Sequence, residues 1–154
     1  MKSLIDIYKE KVGKENFFGK IIIIDFYDGP SEAFCQMQET GNWFICSMIY
    51  FDIPNRQRIF SMFELKKEWI FRNSHLFEVN DMHDSNNYDE KKSKIKPLYK
   101  KYKGDLFLFK SDSLWSKNYN VVKVPHDALQ YFVDIEQVLL QDEESKLKWL
   151  NFFN

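Results

Sequence analysis

Three groups of residues in this chain carry donor or nucleophile chemistry. His75, Glu78, Asp81, His83 and Asp84 bring imidazoles and carboxylates together in one short segment, a donor set that suits zinc or manganese. Their spacing matches no compact metal motif. There is no His-Glu-x-x-His and no cysteine pair beside them, and the Asn, Asp and Ser residues of 80–87 mark a solvated loop that cannot preorganise ligands. Neither a metal nor a cofactor is expected. Asp25, Asp28 and Glu32 are the second group, carboxylates that could share acid and base roles. Asp28 is explained by turn chemistry. Asp25 interrupts an apolar run, so its side chain must lie outward or find a buried partner, with Arg56 or Arg58 nearest in sequence. A structural ion pair is the expected use.

Cys35 and Cys46, with His75, His83 or His126, are the raw material for a thiol nucleophile. A reactive cysteine needs a cation or a helix N-terminus to lower its pKa, and both cysteines fall in apolar strand segments. The chain has no Gly-x-Ser-x-Gly elbow and no phosphate-cradling glycine loop, and its 5 glycines all sit at expected element ends. No catalytic residue is assigned. A small enzyme using carboxylates or a metal in segments 25–32 or 75–84 is kept as an alternative. Segment 88–103 is rich in lysine with interleaved tyrosines, which resembles a phosphate-tracking, base-stacking surface and makes nucleic-acid binding a further alternative. A solvated helix face gives the same pattern. The 3 Arg against 19 Lys, with 13 Ile, 11 Asn, 2 Ala and 1 Thr, point to an AT-rich genome that supplies lysine without functional demand.

The elements that would position these residues follow from periodicity. Ser3 caps a short helix over 3–12, with Leu4, Ile5, Tyr8 and Val12 on one face and Gly13 at its end. Segment 21–27 is a strand that is apolar at consecutive positions, hence central and covered on both faces, and Asp28-Gly29-Pro30-Ser31 reverses the chain. Strands follow over 33–38, 43–51 and 58–65. A two-residue loop at Thr40-Gly41 would set Cys35 opposite Cys46 and place Cys35, Met37, Phe44 and Cys46 on one face. Segment 66–80 reads as a short helix through Trp69-Ile70-Phe71 and a strand over 76–79. A helix over 88–103 should break at Pro97, since an interior proline costs about 3 kcal/mol. Strands at 106–109 and 120–124 precede a helix capped by Asp127, with Gln130, that carries Leu129, Phe132, Val133, Leu139 and Leu140. A last helix capped at 142–144 would bury Leu147, Leu150 and Phe153. The fold class is α+β: an antiparallel meander sheet of four to six strands, with helices at the N-terminus, in the middle and at the C-terminus.

With 154 residues, 22 Lys+Arg, 23 Asp+Glu and a net charge of −1, the chain 1–154 reads as a single domain able to bury one sizeable core. Its balanced charge names no partner class and argues against an obligate polyanion binder. The charge-interrupted N-terminus has no signal-peptide core, no apolar run reaches membrane-spanning length, and 2 cysteines make no disulfide framework, so a cytoplasmic location is expected. Aromatics reach 18%, more than a small core needs. Trp43, Trp115 and Tyr119, at strand ends or in a loop, are the expected partner contacts. The strand ending Asp25-Phe26-Tyr27-Asp28-Gly29-Pro30, the short amphipathic meander and the helical tail together resemble small stand-alone bacterial immunity proteins of polymorphic-toxin systems. That resemblance lies in the layout of residues 20–65 and carries over no functional residue. It implies a non-enzymatic, cytoplasmic protein-binding module that inhibits a toxin by occluding its active site.

Overall fold

The computed structural model describes residues 2–78, 87–128 and 135–154. Six runs of β-branched and aromatic residues pair in sequence order as one antiparallel sheet: β1 (Phe18–Phe26), β2 (Pro30–Met37), β3 (Trp43–Asp52), β4 (Gln57–Glu64), β5 (Leu106–Ser111) and β6 (Tyr119–Val124). Helix α1 (Leu4–Lys11) precedes the sheet, and a capping box between Ser3 and Asp6 starts it. Helix α2 (Lys67–Arg72), a 3-10 turn over Ser74–Phe77 and helix α3 (Tyr88–Lys101) lie between β4 and β5; α4 (Ile135–Leu139) and α5 (Glu143–Asn151) close the chain. The layout is the α+β meander expected from periodicity.

Both faces of the sheet are apolar, and each has its own core. On one face Ile21, Ile23, Cys35, Cys46, Phe60, Met62 and Phe109 meet α1 and Val138 of α4. On the other, Ile22, Phe34, Ile45, Ile59, Phe63 and Leu108 meet α2, α3 and α5. The first core is closed by coiling of the sheet. Phe18 of β1 and Phe109 of β5 are four strands apart, which a flat sheet would separate by ~19 Å. Their ring centroids lie 5.5 Å apart, and neighbouring Phe17 reaches Tyr119 of β6 at 5.4 Å. The strand twist thus brings the two ends of the sheet around one ring cluster.

Several positions depart from sequence expectation for identifiable reasons. Strand β1 is covered on both faces, yet it lies at the sheet edge rather than the centre. The β2–β3 register pairs Cys35 with Phe44 and Ala33 with Cys46, two positions away from the cysteine–cysteine pairing. The reversal is longer than two residues because Gly41, at φ +76°, donates back to the Met37 carbonyl at 2.8 Å. An even shift preserves face parity, so Cys35, Met37, Phe44 and Cys46 do share one core. Leu76 and Phe77, expected to open a strand over 76–79, instead close the 3-10 turn over Ser74–Phe77, where both are buried and Phe77 stacks on Phe34 at 4.7 Å; residue 79 lies outside the described residues. Helix α3 runs through Pro97 without a break. The carbonyl that loses its donor there belongs to exposed Ser93, and burial of Ile95 with partial burial of Leu98 and Tyr99 holds the helix against the sheet. In α5, Trp149 is buried whereas Leu147 is 56% exposed. Leu129, Phe132, Val133 and the 127–130 capping box extend into residues outside the description.

The hydroxyl of Tyr119 is buried and has no hydrogen-bond partner among the described residues. Tyr119→Phe should therefore leave the stability unchanged or raise it by up to about 1 kcal/mol, whereas Phe109→Ala, at the centre of the ring cluster, should lose about 3–5 kcal/mol in urea unfolding.

Candidate interaction groove

Leu65, just past β4, is buried in the core, and the chain then turns into α2, whose N-terminus has no capping side chain. That short helix is held by its partly buried Trp69 and Ile70 and ended by Asn73, whose side-chain amide donates to the Trp69 carbonyl at 2.9 Å. Across from it lies the last turn of α3. Tyr102, just past that turn, stacks on Phe63 at 4.1 Å and donates its hydroxyl to the Asp105 carbonyl. Gly104 makes room for this, because a Cβ there would lie 2.7 Å from the Tyr102 hydroxyl oxygen. Burial, and then the carboxylates of Asp105 and Glu64, push the Tyr102 phenol up to about 12.

Between α2 and α3 these residues leave a cavity of about 560 Å³, with Phe63, Trp69, Leu98 and Tyr102 on its apolar walls. This is the size range of small-ligand and side-chain pockets. Its rim carries Lys66, Arg72, Lys101 and Lys103 against Glu64 and Glu68. None of these six charges has an ion-pair partner among the described residues. The groove therefore combines exposed ring surface with unneutralised charge of net positive sign.

A second convergence of charge has a different character. Strict alternation would put Asp25 on the Ile21/Ile23 face, but a bulge at Ile24 turns it to the opposite face, in register with Glu32. Lys92 of α3 meets both carboxylates, at 3.1 Å from Asp25 and 2.8 Å from Glu32. Tyr99, two helical turns further on, donates to the other Glu32 oxygen at 3.1 Å, and Tyr88 reaches Asp25 at 3.4 Å. The Glu32 side chain is 3% exposed. Burial raises its pKa while Lys92 opposes the rise; burial works against the charge on Lys92, but Glu32 and Asp25 raise its pKa overall. The Tyr99 phenol is held well above its usual value, first by burial and then by Glu32. These groups satisfy one another, so the arrangement fastens α3 to the sheet rather than presenting a base to solvent.

Arg58 serves the opposite end of the strands. It donates to the main-chain carbonyls of Asp28 and Asp112, lies 4.2 Å above the Phe51 ring and approaches the Asp28 carboxylate at 3.9 Å. It thus ties the β1–β2 turn to the β5–β6 loop. The expected partnership of Asp25 with Arg56 or Arg58 is replaced by Lys92, because the bulge carries Asp25 to the α3 side while Arg58 faces Phe51. Cys35 and Cys46 are buried, and burial pushes the Cys35 thiol well up, away from nucleophilic character. His75 contacts Glu90 of α3. Among the described residues no three His, Cys, Asp or Glu side chains converge on a metal-sized point; Asp81, His83 and Asp84 lie outside the described residues.

Of the expected partner contacts, Trp115 is exposed at 39% in the β5–β6 loop. Trp43 is half-buried beside Phe77, whose ring also touches Trp69 of the groove. Tyr119 is 3% exposed and belongs to the ring cluster, which removes it from any contact surface. The groove itself escaped sequence reasoning. Segment 66–80 reads in sequence as a short helix and a strand, and the lysines near 100 read as one helix face rather than as one side of a cleft. No helix of the described residues is long and apolar enough to cross a membrane. Comparison with family models, with curated proteins and with solved structures returns no match.

Removing Lys92 strands a buried carboxylate. Lys92→Ala should destabilise by about 3 kcal/mol, and a Glu32→Leu/Lys92→Met pair should recover most of that loss in a double-mutant cycle. Alkali supplies a second check. Tyr102 and Tyr119 ionise near 10.0 when unfolded and at about 12 when folded, so the unfolded state binds fewer protons in that window and stability falls as the pH rises through it. Tyr102→Phe should flatten this slope in unfolding curves measured between these pH values.

Proposed function

We propose that this chain is a non-enzymatic protein-binding module that works in the cytoplasm, with an immunity-like inhibitor of a toxin as its sharpest form. The observation that carries the reading is the contrast between its two charge clusters. The titratable groups that converge, Asp25, Glu32, Lys92 and Tyr99, are engaged with one another. Six charges with no ion-pair partner among the described residues ring a groove lined by Trp69, Leu98 and Tyr102, which is the composition of a recognition surface, where aromatic and cationic side chains anchor partners. Buried thiols and the layout of residues 20–65 support the same reading. The small-enzyme alternative relies on carboxylates whose oxygens already accept from Lys92 and two tyrosines.

An inhibitor of this kind acts by mass and shape: it covers a surface on its target and needs no turnover. Its gene is expected beside that of its target. Co-expression of the chain with the protein encoded next to it should give a stable heterocomplex on size-exclusion chromatography and relieve any growth arrest that the neighbour causes alone. Separate elution of the two proteins at micromolar concentration, with growth arrest unrelieved, would overturn the proposal.

A further inference from the structure

The groove between α2 and α3 carries enough detail to name the chemistry of what enters it. Its walls are apolar: Trp69 from one helix and Leu98 and Tyr102 from the other. Its volume of about 560 Å³ admits a few side chains and no folded element. Four cations stand on the rim against two carboxylates, and none is neutralised within the described chain. The net charge of the whole protein is −1, so this excess of positive charge is local to the groove.

We propose that the groove binds a short acidic segment of a partner protein, seating one large apolar side chain against Trp69 and Tyr102 while flanking carboxylates pair with Arg72 and Lys101. This rests on the protein-binding reading and specifies its surface. Charge complementarity selects the occupant. A nucleic-acid strand presents phosphate at every step and would be forced against Glu64 and Glu68, whereas a peptide can direct its carboxylates to the cations and leave those two positions to neutral or basic residues. The apolar walls favour the same occupant, because the desolvated ring surface contributes affinity while the rim charges set orientation and encounter rate.

The test uses the full chain and a synthetic peptide in which aspartates and glutamates flank a central Phe-Leu pair. The comparison probes are the same peptide with lysine flanks, the acidic peptide with an alanine centre, and single-stranded oligothymidylate. Fluorescence anisotropy of labelled probes should show saturable binding of the acidic, Phe-Leu peptide, about tenfold or more tighter than each comparison probe. Arg72→Glu/Lys101→Glu should abolish that preference, while Lys94→Glu/Lys96→Glu, on α3 outside the groove, should leave it within about twofold. Tighter binding of oligothymidylate, equal loss in both variant pairs, or no saturable binding of the acidic peptide would overturn the assignment. The groove variant is also carried into the co-expression experiment. If the wild-type chain forms a complex with its neighbour and the groove variant does so equally well, the groove assignment fails and the protein-binding reading stands; if the wild type forms none, the reading itself fails.

Discussion

A carboxylate sealed inside a sheet face must find a counter-charge, and Glu32, with its side chain 3% exposed, finds Lys92. Much of the molecule on that side of the sheet follows from this contact. It fixes where α3 crosses β1 and β2, and therefore how Leu98, Tyr99 and Tyr102 meet Phe63. The bulge adds Asp25 as a second carboxylate on the same lysine. It also helps explain why a helix with an interior proline stays continuous: the ion triad anchors the helix on the N-terminal side of Pro97, and ring packing anchors it on the C-terminal side.

The two faces of the sheet are stabilised by different means. The α1 face is held by coiling, with rings from β1, β5 and β6 meeting in the interior, and by Arg58, which joins the turns at one end of the strands. The other face is held by helices laid across it, and its polar centre at Glu32 gives α3 a defined register that apolar packing alone does not impose. The groove is a consequence of that register. Between the short α2, whose N-terminus has no capping side chain, and the end of α3 a groove is left, and it is ringed by charge.

The fold class was legible because the strand runs are β-branched and aromatic and the turns carry glycine, proline and asparagine. Face parity survived even where register did not, as the cysteines show: the two-position shift moves Cys35 from Cys46 to Phe44 and leaves both thiols in the same core. What stayed hidden depended on single irregularities. Nothing local in Ile23-Ile24-Asp25 announces a bulge, so the meeting of Lys92 with Asp25 and Glu32, 67 and 60 positions away, has no sequence signature. Sequence places Tyr119 in the loop before the strand at 120–124, whereas it opens β6 and points into the coiled core. The groove needed both helices in place before Trp69 and Tyr102 could be seen as facing walls of one cleft.

The central claim is that the convergent charges serve to hold α3 to the sheet and thereby shape a recognition surface. Native-state hydrogen exchange in the wild type and in Glu32→Gln addresses it most directly. The account predicts that α3 amides in the wild type are protected nearly as well as those of β3, and that the substitution weakens protection in α3 selectively while β3, β4 and β5 keep theirs. Fast exchange throughout α3 in the wild type, or a loss spread evenly over sheet and helix in the variant, would contradict it.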